Sequence, residues 1–458
     1  MVGVRKLAAS CLVLLLAGGC LAPVNSPSST TTTVVTTADG RDLTLIDCGS
    51  GKTDLDLVCE GYHLIQNNYV DPIEDQVLAD AALHGLESIG GPAATSDGDP
   101  FVCPMPSQEF REACEKASGL EAAEADMAEA MLASMVIEVL DPNSAYFDPV
   151  ALEQLREEDS GHVEGIGALV ATDEDPEPEA GDDSCTVISE ECRLVVTSTI
   201  PDGPAERAGV EAEDVIVAVD GESIDGLSVD LVTSKVRGPA GTTVEITVDR
   251  EGSELDFEIE RAAVDIPILD SEVVGDVGYL RLNVFLEQAD RAVENALGGL
   301  LADGANSLVL DLRDNPGGSL EATVNIVSEF LEDGVILRTQ SPGSDTPYHV
   351  RERGIAREIP MVVLVNGSSA SASEVTAAAL QEAGRAMIVG EPTYGKNTVQ
   401  QRFNLQNGGA LKLTTARWVT AEGNSFGGTG VIPDIAADLP NDLSVADLVA
   451  EAVKLGGL

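Results

Sequence analysis

Three short stretches carry side chains and backbone suited to breaking an acyl bond. The first runs Val362-Val363-Leu364-Val365-Asn366-Gly367-Ser368-Ser369-Ala370-Ser371-Ala372-Ser373-Glu374. An apolar strand passes through a turn of small residues into a helix, which sets serine hydroxyls at a helix N-terminus. Unpaired N–H groups and the positive dipole end favour developing negative charge there. A nucleophilic serine also needs a base. The four histidines, His63, His84, His162 and His349, lie outside turn-rich motifs and read as structural or surface residues, and no G-x-S-x-G elbow is present. The second stretch, Gly390-Glu391-Pro392-Thr393-Tyr394-Gly395-Lys396-Asn397-Thr398-Val399-Gln400, offers a different base. Burial in an apolar pocket drives an amine toward its neutral form. Ser371 and Lys396 therefore make a coherent dyad without histidine, and Gln400, four residues on, can orient the amine through its amide oxygen. The third stretch, Leu310-Asp311-Leu312-Arg313-Asp314-Asn315-Pro316-Gly317-Gly318, is a strand ending in a Pro-Gly-Gly turn. Glycines let backbone N–H groups approach a substrate closely, as an oxyanion hole requires. Taken singly, each has a plainer reading: Ser371 with Glu374 is an S-x-x-E capping box, Lys396 a surface lysine, Gly317-Gly318 a turn.

The elements that must position these residues follow from hydrophobic period. From Leu55 to about Asp159 the pattern is helical, with apolar residues at helical spacing over Val77 to Ile89 and Ala122 to Leu140, and Asp141-Pro142-Asn143-Ser144 closing the last long helix. From Val163 to about Ala263 the period shortens to strands, at Ile166–Ala171, Leu194–Ser198, Asp214–Val219, Thr243–Asp249 and Leu255–Ile259, with an acidic insertion over Glu174 to Asp183. From Val273 onward strands and helices alternate, which implies a mostly parallel sheet whose turns carry function. A last helix spans Leu443 to Leu455 with Ser444 as N-cap.

Met1 to Cys20 reads as an export signal: Arg5 and Lys6, an apolar Leu7 to Ala17, then Ala17-Gly18-Gly19-Cys20. Its end resembles a bacterial lipobox, which implies cleavage before Cys20 and lipid on its thiol, although Ala17 stands where Leu is usual; plain secretion into the periplasm or medium is the alternative. Ser26 to Thr37 is a flexible tether. Six further cysteines, Cys48, Cys59, Cys103, Cys114, Cys185 and Cys192, fall in local pairs 11, 11 and 7 residues apart. Outside the cytoplasm an even count suggests disulfides, with sequential pairing favoured among the 15 connectivities. No CxxC or nearby His supports a metal site. The 458 residues carry 79 Asp+Glu against 26 Lys+Arg, a net charge of −53. That excludes a basic nucleic-acid-binding face. Because the carboxylates are dispersed, they read as a solvated surface suited to high salt. Only seven lysines occur, so one inside a motif stands out.

The three stretches, in this order and spacing, resemble the carboxyl-terminal processing peptidases, or tail-specific proteases. Gly238-Pro239-Ala240-Gly241-Thr242 and Gly430-Val431-Ile432-Pro433-Asp434 extend the resemblance over about Leu55 to Asp434. It implies an α+β, α/β fold: a crotonase-like (ClpP-like) protease core with an N-terminal helical segment and an inserted PDZ domain. The expected division is 1–19 signal peptide, 20–53 tether, 54–162 helical segment, 163–262 PDZ domain, 263–437 protease core and 438–458 C-terminal helix. The family's roles map onto Ser371 as nucleophile, Lys396 as general base and Gln400 as positioning residue, with the N–H groups of Gly318 and Ala372 as oxyanion donors; no cofactor or metal is implied. Ser368, Ser369 and Ser373 are set aside by the 25-residue spacing from Ser371 to Lys396. Asn397 stands where many members have Gly, and Asn tolerates positive φ. Gly165-Ile166-Gly167-Ala168 resembles the PDZ carboxylate-binding loop, and Arg237 can meet a carboxylate or gate the module; strand-end glycines and a solvated arginine are the plain alternatives. The expected partners are protein substrates with apolar C-terminal tails and, through the lipid, a membrane; homo-oligomerisation is left open. A membrane-anchored PDZ adaptor without catalysis is the rival function.

Overall fold

The computed structural model describes residues 33–36, 42–45, 56–89, 123–174, 187–190, 192–250, 252–352, 354–440 and 443–458. The signal peptide, Cys20, the cysteines at 48, 103, 114 and 185 and most of the acidic insertion lie outside these residues.

The helical segment comprises α1 (Asp56–Asn68), α2 (Asp75–Ile89) and α3 (Glu124–Val139), followed by β1 (Ala145–Phe147) and α4 (Pro149–Asp159). Leu57, Ile65, Leu78, Leu86, Met131 and Leu132 share a core with Leu405, Leu411 and Leu413. Three helices with one apolar stripe each bury those stripes against one another and against a strand pair, so the segment shares a core with the C-terminal part of the chain.

A two-stranded ribbon, β2 (His162–Gly165) with β8 (Ala262–Asp265), carries the chain into and out of a smaller domain. There β3 (Ala168–Glu174), β4 (Cys192–Thr199), β5 (Val215–Val219), β6 (Thr243–Arg250) and β7 (Ser253–Glu260) form an antiparallel sheet in the order β7-β6-β5-β4-β3, with helices α5 (Pro204–Ala208) and α6 (Val229–Val236). Its β3 is an edge strand.

The core sheet has β9 (Leu269–Val274) antiparallel to β10 (Val277–Leu282). Then β11 (Ser307–Asp311), β14 (Met361–Val365), β15 (Met387–Gly390) and β18 (Ile435–Ala436) run parallel to β10. Every residue of β11 and β14 is buried, which is why both read as unbroken apolar runs. On one face lie α7 (Ala289–Ala302), α8 (Leu320–Ser328) and α9 (Ala372–Glu382). The terminal α10 (Val445–Gly456) covers the other, where Leu448, Val449 and Ala452 meet Val309, Val362 and Leu364. The Ser444 hydroxyl accepts from Asp447 N–H as its N-cap. A second, antiparallel sheet holds β12 (Val335–Ser341), β13 (Ser344–His349), β16 (Thr398–Asn404) and β17 (Ala410–Thr420), with β1 added to β17.

Candidate active site

The three chemical stretches leave the C-terminal ends of adjacent parallel strands. Asp311 ends β11, Val365 ends β14 and Gly390 ends β15. In open α/β sheets that edge is where substrates bind.

The Ser371 turn is bolted to the Gly-Gly turn. Ser369 and Ser373 are fully buried; their hydroxyls donate to the carbonyls of Leu312 (2.8 Å) and Asn315 (2.9 Å). Asn315, also fully buried, donates its amide to Leu282 O at 2.6 Å and accepts from Gly317 N–H at 2.9 Å. Asn366 accepts from Asp314 N–H at 3.0 Å and donates to its carboxylate at 2.7 Å. These contacts explain the neighbouring serines as fasteners and leave Ser371 half-buried at the mouth. Its backbone sits at φ +53°, ψ −110°, outside the extended region of an ordinary N-cap, a conformation costing on the order of 1–3 kcal/mol.

Gly317 and Gly318 take φ +99° and +141°. A Cβ on Gly317 would come within 2.8 Å of Ser371 Cβ and of Ala372 N, so only glycine allows this approach. Ala372 opens α9 and its N–H has no intrahelical acceptor. Gly318 N–H likewise donates to no group among the described residues. The two amides expected as oxyanion donors thus flank Ser371 unpaired.

The residue that joins the serine turn to the lysine loop is Glu374. It is fully buried, and its two carboxylate oxygens receive four donors. Oε1 accepts from Thr393 Oγ1 (2.6 Å) and Gly395 N–H (2.7 Å). Oε2 accepts from Ser371 N–H (2.7 Å) and Lys396 N–H (2.9 Å). The main-chain nitrogens of Ser371 and Lys396 therefore share one acceptor atom. Burial pushes the Glu374 carboxyl above the usual carboxylate range, against the pull of those donors. The Ser371 N–H bond is the S-x-x-E capping-box contact that the sequence implies; for the further reach to the lysine loop the sequence holds one signal, a lone acid in the otherwise apolar and small run Ala372–Leu380.

Lys396 is held from the carbonyl side too, where Trp418 Nε1–H donates to Lys396 O at 2.9 Å. Its amine makes no ion pair among the described residues. Burial, and then the Lys412 ammonium, push the amine below the ordinary lysine range; Asp141 and Glu374 pull the other way. No hydrogen bond joins the Lys396 amine to the Ser371 hydroxyl in this structure. Gln400 donates Nε2 to Thr414 Oγ1 at 3.2 Å and makes no bond to Lys396. Positive φ in this loop falls on Gly395 (+97°), so the tolerance invoked for Asn397 is not used; Asn397 Nδ2 instead donates to Ser425 Oγ at 3.0 Å.

In the smaller domain a groove of about 360 Å³ lies between β3 and α6, and Gly165, Ile166, Gly167, Ala168 and Arg237 all line it. Gly167 takes φ +72°. Arg237 caps the C-terminus of α6, and burial lowers the pKa of its guanidinium.

A serine turn pinned by buried hydroxyls, a partly desolvated lysine and a Gly-Gly turn on one sheet edge, with a peptide-sized groove on an inserted β-domain, define a serine-type protease with a PDZ insert. The model of peptidase family S41 matches residues 276–437, and a PDZ domain model matches residues 195–250. A carboxy-terminal-processing protease from Bartonella bacilliformis is 35% identical over 309 residues, covering 66% of this chain and 67% of the relative. A probable CtpA-like serine protease from Staphylococcus aureus is 33% identical over 317 residues, covering 69% of this chain and 60% of the relative. Among solved structures, the photosystem II D1 C-terminal processing protease superposes with a TM-score of 0.61 at 27% identity, over 88% of this chain and 98% of that one. The chain belongs to the carboxy-terminal-processing protease family.

Proposed function

We propose that Ser371 is the nucleophile of this protease, Lys396 its general base and Gln400 the residue that orients the amine. The neutral amine takes the hydroxyl proton as Ser371 attacks a peptide carbonyl. The Gly318 and Ala372 N–H groups receive the developing oxyanion. The amine, now protonated, gives its proton to the leaving nitrogen; water, deprotonated by the same amine, then hydrolyses the acyl-enzyme. The observation that carries this reading is the shared Glu374 Oε2, which ties Ser371 and Lys396 to one atom. Catalytic hydrogen bonds often tighten only when substrate is bound, so the unmade Ser371–Lys396 bond is the step left to substrate docking.

Substrate C-termini dock in the groove at Gly165–Ala168, adding a strand to the free edge of β3, with Arg237 near the carboxylate. Docking raises the local concentration of the cleavage site at Ser371. The protein is exported and lipid-tethered through Cys20, and it processes envelope proteins; the cysteine pairs 48–59, 103–114 and 185–192 are closed there. The working domain boundaries are 1–19, 20–53, 54–162, 163–262, 263–437 and 438–458.

The test compares the purified wild type with Ser371→Ala and Lys396→Ala on a peptide with an apolar C-terminal tail. Each variant is expected to lose cleavage while still binding the tail. Full activity in either overturns the dyad.

A further inference from the structure

The turn Asp141-Pro142-Asn143-Ser144, between α3 and β1, is used by no step above, yet it joins the helical segment to β17, the strand paired with Gln400. Asp141 Oδ1 accepts from Asn143 N–H (2.9 Å) and from the Thr414 hydroxyl (3.0 Å), and Oδ2 accepts from the Ser144 hydroxyl (3.0 Å). Asp141 N–H donates to the Tyr69 hydroxyl at 3.0 Å. The turn is clamped to β17, because Thr414 N–H donates to Ser144 Oγ (3.1 Å) and Val70 N–H to Thr414 O (2.8 Å). Thr414 is the cross-strand register partner of Gln400.

A hydroxyl has one proton to give. Thr414 gives it to Asp141, so toward Gln400 its oxygen can only accept. Gln400 must then present its NH2 to Thr414, as it does at 3.2 Å, and its amide oxygen faces away. A neutral amine is held as a base by an acceptor for its N–H, and an amide oxygen is such an acceptor. Asp141 also acts on Lys396 through space. The charges facing the amine are Asp141 from this turn, Lys412 from β17 and Glu374 from α9. Lys412 is two residues from Thr414 on the same face of β17, with its ammonium 5.5 Å above the Phe147 ring of β1.

We propose that Asp141 is a positioning residue of the protease: through Thr414 it fixes the amide of Gln400 so that oxygen is offered to Lys396, and with Lys412 it balances the charge around that amine. The proposal rests on the dyad reading above. It makes the helical segment a working part of catalysis.

Steady-state cleavage of a tailed peptide across pH, with circular dichroism to verify folding, tests it in Asp141→Asn, Thr414→Val, Thr414→Ser, Lys412→Met and Lys396→Ala. Thr414→Val is expected to lower kcat about ten- to a hundredfold with KM little changed, Asp141→Asn, whose amide oxygen still accepts from Thr414, to lower it less, and Thr414→Ser to retain wild-type kcat. The ascending limb of kcat/KM, which needs the neutral amine, moves to lower pH in Asp141→Asn, to higher pH in Lys412→Met, and stays in place in Thr414→Val. Should Asp141→Asn fail to fold, the Thr414 pair and Lys412→Met still decide. Wild-type kcat in Thr414→Val, or limbs that do not move apart when the two charges are removed, overturns the positioning role while a dead Lys396→Ala keeps the dyad. An active Lys396→Ala overturns the dyad itself.

Discussion

Replacing Glu374 should separate the serine turn from the lysine loop. Glu374→Ala leaves three main-chain N–H groups, of Ser371, Gly395 and Lys396, without their acceptor, and strands the Thr393 hydroxyl proton. At about 1–3 kcal/mol for each orphaned main-chain donor, the three together cost on the order of 3–9 kcal/mol, toward the lower end because all three are half-buried and water can enter the vacated space. That is comparable with the whole stability of an ordinary domain, so Glu374→Ala alone confounds unfolding with inactivation. Glu374→Gln is the informative change. Its single amide oxygen can serve only one of the two donor pairs. The Thr393 hydroxyl can turn round and accept from the new NH2, whereas main-chain N–H groups cannot. The oxygen should therefore stay with Ser371 and Lys396, while Gly395 N–H and the Thr393 hydroxyl proton lose their acceptor, at about 1–3 kcal/mol for the fixed main-chain donor and less for the hydroxyl, which can rotate.

The expected order follows. Glu374→Gln remains folded and loses about tenfold in acylation, because the lysine loop is loosened on one side only. Glu374→Gln with Thr393→Val, which removes the hydroxyl that can reverse, loses on the order of a hundredfold or more, beyond the product of the single effects. The assay is single-turnover acylation by a tailed ester, with urea denaturation for stability and tail binding as a control on the PDZ groove. Wild-type acylation in the folded double variant would refute the claim that one carboxylate holds the dyad together.

Three further outcomes are expected. Gly318→Ala puts a Cβ into the Phe285 carbonyl at φ +141°, displacing an oxyanion donor; kcat should fall about 10²–10³-fold with tail affinity unchanged, and a near-normal kcat would remove Gly318 from the oxyanion hole. Lys396→Met should be inactive but more stable than wild type at neutral pH. Burial depresses the folded-state pKa of this lysine, so the penalty is fully present below that pKa and gone above the ordinary lysine pKa; the gain in urea midpoint should shrink as pH rises between the two, and a constant gain would show the amine is not penalised. With 79 acidic against 26 basic residues, Tm should climb between 0.1 and 1 M NaCl, as the screening length falls from about 10 to 3 Å. A flat Tm would show that self-repulsion is minor.

What the sequence exposes is whatever lies within one local stretch. Ser371, Lys396 and the Gly-Gly turn are legible as candidates because each sits where a strand becomes a turn, and turn chemistry is written in neighbouring residues. The apolar runs at 307–311 and 361–365 were legible because strands buried on both faces admit little else. Glu374 was read only as far as its nearest neighbour. Its contact with Ser371 spans three residues, but those with Thr393, Gly395 and Lys396 span 19 to 22 and depend on β14 and β15 pairing in parallel. Asp141 was read as the end of a helix, and its bond to Thr414 crosses 273 residues. No periodicity reports such a contact, because it exists only once β1 has added to β17. The two blind spots have one cause and one consequence. A serine and a lysine can be recognised by type, but their relative placement is set by acceptors that the fold brings in from elsewhere. Substitutions at Glu374 or Asp141 should therefore disable the protease as surely as those at its recognisable residues, while leaving every motif intact.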